Sequence, residues 1–258
     1  MYIDTHCHLD FDVFDEQREE LMARCLGAGI KHFLVPATVS SRWGRLLELS
    51  KQYPEWRIAY GLHPYFLKGA ELSELDNLAT QCEDGAIAIG EIGLDNWPGS
   101  LSLEVQREFF IRQLVIAKSL ALPVVIHARK SYDLVYQCLR QVGLKTGGTI
   151  HAFNGSYEQA QRFVELGFVL GIGGTVTYPR AKKAQRVLQA LDRQSYVLET
   201  DSPDMPLYGF QGQMNTPLSI LEVAKSVAII RNEEVEQIAV DSYDNLLRVF
   251  PKWHEGLL

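Results

Sequence analysis

Short hydrophobic segments rich in β-branched and aromatic residues alternate along this chain with longer segments in which apolar residues recur three and four positions apart. The first pattern is typical of buried strands and the second of amphipathic helices. The helical spacing is clear in Val105, Phe109, Ile116 and Leu120. Eight strands are predicted, at residues 2–6, 32–36, 57–62, 86–91, 124–127, 149–151, 168–172 and 196–200.

The repeated alternation of strand and helix predicts parallel strands joined by crossover helices. A doubly wound open sheet would have the same alternation, but no G-x-G-x-x-G motif follows the first strand, and eight strands within about 200 residues favour closure. We therefore predict an α/β fold, a single (β/α)8 TIM-like barrel domain over residues 1–258. Helical patterns from Pro217 onward predict the last barrel helix and extra C-terminal helices.

The composition is that of an ordinary folded domain, with 47% hydrophobic and 22% charged residues among 258. No apolar run approaches the ~20 residues that span a bilayer, and the first residues are too polar for a secretory signal, so we expect a cytoplasmic protein without membrane contact. The four cysteines lie far apart, which indicates reduced core thiols. The formal charge of −7 argues mildly against a nucleic-acid partner. We further expect a monomer.

The first predicted strand ends in two histidines, His6 and His8, separated by Cys7. Because successive strand side chains point to opposite faces, the two imidazoles share one face. That spacing is suited to bind a divalent ion, although hydrogen-bonded surface histidines explain an isolated pair equally well.

Further side chains that commonly bind metals stand at or just after the ends of other predicted strands: His63, Glu91, His127, His151 and Asp201. Taken singly, such a histidine is more often a hydrogen-bonded core group, and such an acid more often caps the next helix. In a β/α barrel, however, the C-terminal strand ends meet on one face, which carries the active site. Four of these five histidines, all but His63, and the two carboxylates would hold two divalent ions bridged by Glu91. Ions about 3.5–4 Å apart promote hydrolysis.

Five segments carry these residues other than His63: 2–10 (YIDTHCHLD), 90–95 (GEIGLD), 122–129 (LPVVIHAR), 151–156 (HAFNGS) and 198–203 (LETDSP). In this order they resemble the motifs of the TatD-related metal-dependent hydrolases and DNases, a branch of the amidohydrolase-like barrels, and the resemblance runs from Met1 to about Phe250. The chain differs from the usual family residues at 96–98 and at 204–207, in two loops expected near the substrate.

The resemblance implies a ligand set and a reaction. His6, His8 and Asp201 would bind one metal, His127 and His151 the other, and Glu91 would bridge the two. It also implies hydrolysis of phosphodiester bonds in DNA with a divalent cation such as magnesium, manganese or zinc.

Three residues are candidates for catalysis itself. Asp201 is expected to orient and deprotonate the attacking water, and Glu91 to hold the two ions together. His63 would protonate the leaving group or bind a phosphate oxygen, with a structural role as the alternative.

Two residues are candidates for binding substrate besides His63. Arg129 lies two positions after His127 on the same predicted face and would bind a phosphate with its planar fork, unless it pairs with Glu199. Asn215 would contact the substrate or cap the following helix.

Basic and aromatic residues accompany these candidates in the predicted rim loops. The basic residues are Arg129, Lys130, Arg180, Lys182, Lys183 and Arg186, of which the last three would equally suit a solvated helix face. The aromatic residues, which could stack on bases or simply pack, are Tyr65, Phe66, Trp97, Phe153 and Tyr178.

The sequence therefore predicts a divalent-metal-dependent hydrolase, foremost a deoxyribonuclease of the 3′–5′ exonuclease type that acts on single-stranded DNA or 3′ ends. A small-molecule amidase, lactonase or phosphoesterase on the same binuclear centre is the alternative, which the acidic charge favours. A protein that only binds metal is opposed by the presence of every expected ligand.

Overall fold

Eight parallel strands form the centre of the protein in a computed structural model that describes residues 1–254. The strands pair in chain order, each with the next. They are β1 (Tyr2–Asp4), β2 (Ile30–Pro36), β3 (Trp56–Tyr60), β4 (Ala86–Asp95), β5 (Val124–Arg129), β6 (Gly148–Ile150), β7 (Phe168–Ile172) and β8 (Tyr196–Leu198).

The first and last strands meet, so that the sheet nearly closes on itself. The backbone N–H of Thr5 donates to the carbonyl of Leu198 over 3.1 Å, and the N–H of Asp201 donates to the carbonyl of His6 over 2.9 Å. Strand order and closure confirm the predicted (β/α)8 barrel.

Helices follow the strands as predicted. They are α1 (Arg18–Gly27), α2 (Trp43–Gln52), α3 (Leu78–Cys82), α4 (Leu103–Ser119), α5 (Tyr132–Val142), α6 (Tyr157–Glu165), α7 (Lys182–Ala190), α8 (Ile220–Arg231) and α9 (Val235–Val249). Local sequence sets several ends: Ser156 and Gln159 form a capping box at the start of α6, and Gly143 ends α5 in the left-handed conformation. No helix among residues 1–254 is long and apolar enough to cross a membrane.

The extra C-terminal segment covers the N-terminal end of the barrel. Leu246, Val249, Phe250 and Trp253, from α9 and the turn after it, pack with side chains from inside the barrel to form a second apolar cluster. Its members from the strands include Ile3, Leu34, Ala59, Val125, Val169 and Val197. Because that end is filled with apolar groups, the polar residues collect at the opposite end, where the strands finish.

The predicted strand bounds agree with the observed ones to different degrees. β7 has the predicted limits, whereas β4 continues four residues past Glu91, because its residues 92–95 keep pairing with residues 126–129 of β5. The predicted first and eighth strands are each two residues too long.

Candidate metal centre

Four predicted ligand atoms converge, three from the residues that follow β1 and β8 and one from Glu91 within β4. His6 Nε2 and His8 Nε2 are 3.3 Å apart, and Glu91 Oε2 lies 3.1 Å from the first and 3.4 Å from the second. Asp201 Oδ1 lies 3.6 Å from both nitrogens. The histidines and Glu91 are buried, and the Asp201 side chain keeps 15% of its surface exposed.

This donor set fits a divalent cation. Distances of 3.1–3.6 Å are those between the corners of a tetrahedron whose centre lies about 2 Å from each corner, which is the length of zinc bonds to nitrogen and oxygen. Glu91 Oε2 is buried and has no hydrogen-bond partner among the described residues. A buried carboxylate oxygen facing two imidazole nitrogens is strongly stabilised by a cation among them.

The other oxygen of Glu91 faces a second group. Glu91 Oε1 lies 3.2 Å from His63 Nε2 and 3.1 Å from His127 Nδ1. His6, His8 and Asp201 form one set of close ligand atoms, and His63, Glu91 and His127 form another. One carboxylate therefore lies between two groups of potential ligand atoms, and the bridging of two ions by Glu91 stays a prediction.

The contacts of His63 and His151 are ones that the sequence does not predict. His63, predicted as a catalytic or substrate contact, is the second histidine beside Glu91 Oε1. His151 stacks on His6 with ring centroids 3.7 Å apart, and its Nε2 lies 3.5 Å from Asp201 Oδ2. The ring centroids of His127 and His151 are 6.1 Å apart.

Two glycines let β4 approach β5 closely enough to bring Glu91 to His127. Gly93 has φ +144°, and a Cβ there would lie 2.0 Å from the carbonyl oxygen of His127. A Cβ on Gly90 would lie 2.6 Å from Cβ of Val125. Both positions exclude any larger residue without displacement of the backbone.

Two carboxylates that were not predicted as site residues lie beside His127 and His151, each at the ring nitrogen that does not face Glu91 or Asp201. Asp95 Oδ2 lies 3.0 Å from His127 Nε2, and Glu199 Oε1 lies 2.9 Å from His151 Nδ1. Such partners fix the ring orientation and tautomer of metal-binding histidines. Alternation along an extended chain could have indicated both, because Asp95 is four residues after Glu91 and Glu199 is two before Asp201.

The ionisation of the two central carboxylates follows from the histidines around them. Burial raises the pKa of Glu91, but His63 and His6 outweigh this effect and hold the pKa well below its usual value. Burial likewise opposes ionisation of Asp201, and His151 outweighs it, which lowers the pKa to about 2. Both groups are therefore anionic at neutral pH, as metal ligands must be.

The hydrogen bond that His63 accepts sets its tautomer. Its Nδ1 accepts the backbone N–H of Tyr65 over 3.1 Å, so the ring proton is on Nε2. Burial lowers the pKa of His63 to about 4, and the neutral ring presents this N–H to Glu91 Oε1 or to another acceptor at the same place.

A cleft of about 990 Å³ opens over this centre. Its walls include His8, His63, Glu91, His127, His151 and Asp201. Arg129 stands on the rim with its guanidinium 3.6 Å from the ring centroid of Trp97, and within residues 1–254 it forms no ion pair with Glu199. The unusual residue Trp97 therefore forms part of the rim, where Lys130 lies 5.6 Å from the same ring.

Asn215 lies behind the cleft. Its buried side-chain amide donates to the carbonyls of Thr200, Asp204 and Met205 over 3.0, 2.9 and 3.3 Å. Asn215 is not among the described residues that line the cleft. Its bonds hold the loop that follows Asp201, while its predicted contact with substrate stays a prediction.

Comparison with known proteins gives matches over nearly the whole chain. The family model for TatD related DNase matches residues 3–251. An uncharacterized metal-dependent hydrolase of Escherichia coli K12, YjjV, is 39% identical over 96% of this chain and 97% of its own. A Haemophilus influenzae protein, also an uncharacterized metal-dependent hydrolase, is 36% identical over 96% of this chain and 99% of its own.

The fold comparison agrees. The crystal structure of E. coli YjjV, described as a TatD homologue, superposes with a TM-score of 0.92 at 39% identity, covering 97% of this chain and 98% of that one. The protein is a metal-dependent hydrolase, and the resemblance inferred from its five motifs is confirmed. The chain belongs to the TatD-related DNase family.

Proposed function

We propose that this hydrolase is a deoxyribonuclease, of the 3′–5′ exonuclease type, that uses two divalent ions such as magnesium, manganese or zinc. The observation that carries the proposal is the Glu91 carboxylate, whose two oxygens face two separate histidine groups beneath an open cleft. The family model and the cationic, aromatic rim support DNA as the substrate.

Six side chains would hold the ions. His6, His8 and Asp201 would bind one, Glu91 would bridge, and His127 would bind the other together with His151. Bound ions would supply Lewis acidity, lowering the pKa of a water from ~16 toward ~7 and offsetting negative charge on a phosphate. Asp95 and Glu199 keep the imidazoles in the required orientation.

Asp201 is suited to act as the general base. Of the two acids at the centre it is the one with exposed surface, 15% against 1% for Glu91, so it can reach a water in the cleft. Its low pKa keeps it ionised at neutral pH, and it can accept the proton as attack on phosphorus begins.

His63 and Arg129 would act on the phosphate. The Nε2–H of His63 is a fixed neutral donor that can bind a phosphate oxygen or the leaving oxygen. Stacking on Trp97 fixes the plane of the Arg129 guanidinium and leaves its N–H edge available for a bidentate phosphate contact. Donors placed where charge accumulates stabilise the transition state more than the ground state.

A small-molecule ester or amide is the second candidate substrate, and the formal charge of −7 favours it because a negative surface repels polyanions. A monomer in the cytoplasm stays our prediction for either substrate.

A substrate panel tests the proposal. It comprises single-stranded DNA, duplex DNA, RNA, bis(p-nitrophenyl) phosphate and N-acyl amino acids, each assayed with magnesium, manganese or zinc and again with chelator. We expect metal-dependent release of nucleotides from DNA 3′ ends, lost in Glu91→Gln and kept in Glu83→Gln, which alters an exposed acid. Activity that persists in chelator, or cleavage of acyl amino acids without any DNA cleavage, would contradict the proposal.

A further inference from the structure

A second cavity adjoins the cleft on the side of β7 and α7. It has a volume of about 540 Å³, and it shares Asn154, Thr175, Lys183 and Met205 with the wall of the cleft. Four shared residues make the two cavities neighbours along one surface, and Lys183 stands at their junction. The catalytic cleft therefore does not end at the metal centre.

The second cavity differs from the surface as a whole in its charge. Its lining contains Arg180 and Lys183 and no aspartate or glutamate among the described residues, although the protein carries a formal charge of −7. Both basic residues are exposed, and within residues 1–254 neither forms an ion pair with an acid. This second cavity, a groove on the surface, therefore attracts anions, although the net charge of the protein repels them.

An aromatic ring is held in the same groove. The hydroxyl of Tyr178 donates to the carbonyl of Pro206 over 2.7 Å, which fixes the half-buried ring, and the guanidinium of Arg180 lies 5.7 Å from its centroid. The side-chain amide of Gln185 donates to the carbonyl of Tyr178 over 3.2 Å and so fixes the backbone too. A rigid ring beside two cations is the combination that binds single-stranded nucleic acid, in which phosphates need charge and bases need a stacking surface.

The basic residues of α7, Lys182, Lys183 and Arg186, do not all face the cavities. Lys183 lines both cavities, whereas Lys182 and Arg186 are exposed and, among the described residues, line neither. The alternative that these basic residues only form a solvated helix face therefore applies to Lys182 and Arg186 and not to Lys183. These two residues provide matched controls of the same charge on the same helix.

We propose that the groove formed by Tyr178, Arg180 and Lys183 is a binding site for the phosphates and bases of a single strand next to the scissile phosphate. The inference rests on the proposed function and deepens it, because it makes the substrate a strand of several nucleotides and not a mononucleotide or small ester. Arg180 and Lys183 contact phosphates beyond the one that is cleaved, and Tyr178 stacks on a base.

The test compares long and short phosphodiesters with the metal-loaded enzyme. Labelled oligothymidylates of two to twelve nucleotides and bis(p-nitrophenyl) phosphate are assayed with the wild type, with the Arg180→Gln/Lys183→Gln double variant, and with the Lys182→Gln/Arg186→Gln control. Each phosphate contact contributes a salt slope of about 0.7 for single strands, which is about fivefold in affinity at about 0.1 M salt. We expect the KM of the longest strand to rise about tenfold or more in the double variant.

Several accompanying results are expected. The salt dependence of the KM should fall by about 0.7 for each phosphate that the double variant no longer binds. The control variant should match the wild type with every substrate. In the double variant, kcat/KM for bis(p-nitrophenyl) phosphate should fall far less than kcat/KM for the longest strand, because Lys183 lines the cleft whereas Arg180 lines only the second cavity. Circular dichroism and metal content show that the variants are folded and metal-loaded.

Two outcomes would overturn the inference, and they are distinct. If the wild type cleaves the long strand and the double variant has the same KM as the control, the groove is not a strand site although the proposed function stands. If the wild type cleaves neither DNA nor bis(p-nitrophenyl) phosphate with any of the metals, the proposed function fails and the inference fails with it.

Discussion

Glu199 Oε1 lies 2.9 Å from Nδ1 of His151, and the same oxygen accepts the backbone N–H of Ala152 over 2.6 Å. The carboxylate is buried over Gly171, where a Cβ would come within 2.0 Å of Glu199 Oε2. A glycine in β7 thus makes room for an acid after β8, and this acid orients a histidine after β6.

Replacing Glu199 with Gln keeps the size of the side chain and removes its charge. We expect metal affinity or activity to fall about 10–100-fold, because the imidazole of His151 loses the carboxylate that orients it and raises its basicity. Metal titration followed by activity checks this result. The control is Glu165→Gln on the exposed face of α6, and equal metal affinity in the two variants would show that Glu199 does not act through His151.

Asp201→Asn tests the general base. The amide cannot accept the proton from the water, so we expect kcat to fall about 10²–10⁴-fold while circular dichroism and thermal unfolding stay close to those of the wild type. The rates are to be measured at saturating metal, so that weaker binding of the ion is not mistaken for slower chemistry. Near-normal turnover at saturating metal would show that Asp201 is not the general base.

Asn215→Ala tests how the loop after Asp201 is held. The substitution leaves the carbonyls of Thr200, Asp204 and Met205 without their donor, which should lower the free energy of unfolding by about 1–3 kcal/mol. Urea denaturation measures the loss, with Asn77→Ala, at an exposed residue without a side-chain cap bond, as the control. If Asn215 binds substrate instead, the KM of the variant will rise while its stability is unchanged.

The cysteines should be inert in the folded protein. Cys7, Cys25, Cys82 and Cys138 are all buried and free, and burial raises the pKa of Cys25 and of Cys82 to about 12. Since the thiolate is the reactive form, we expect almost no reaction with a thiol reagent at pH 7 and four equivalents after denaturation. Rapid labelling of the native protein would contradict their burial.

The sequence could predict that the candidate metal ligands lie together, because period-two and helical spacing locate the elements and barrel topology gathers the strand ends. It could not predict which imidazoles touch: His63 lies beside Glu91 Oε1, and His151 stacks on His6. Such contacts depend on side-chain reach and on the close approach of β4 to β5 at Gly93, which no local pattern contains. The spacing of Asp95 from Glu91 indicates a shared face only when the fourth strand is extended to Asp95, as the observed pairing extends it, and the predicted strand ends at Glu91.

The orientation of the basic residues on α7 is a second feature that the sequence alone could not predict. Lys182 and Lys183 are adjacent in sequence, and only the position of α7 against the rim decides that Lys183 faces the cavity. The overall charge of −7 contains no information on that local difference. Charge arguments about the substrate therefore depend on the surface around the cleft.

Glu91 is central to the proposed chemistry as the bridge between two ions. The most direct measurement is anomalous diffraction from crystals of the protein soaked with manganese or zinc, collected at the absorption edge of the metal. We predict two peaks about 3.5–4 Å apart, one among His6, His8 and Asp201 and the other beside His127, with Glu91 between them. A single peak, or peaks that Glu91 does not touch, would contradict the bridging role.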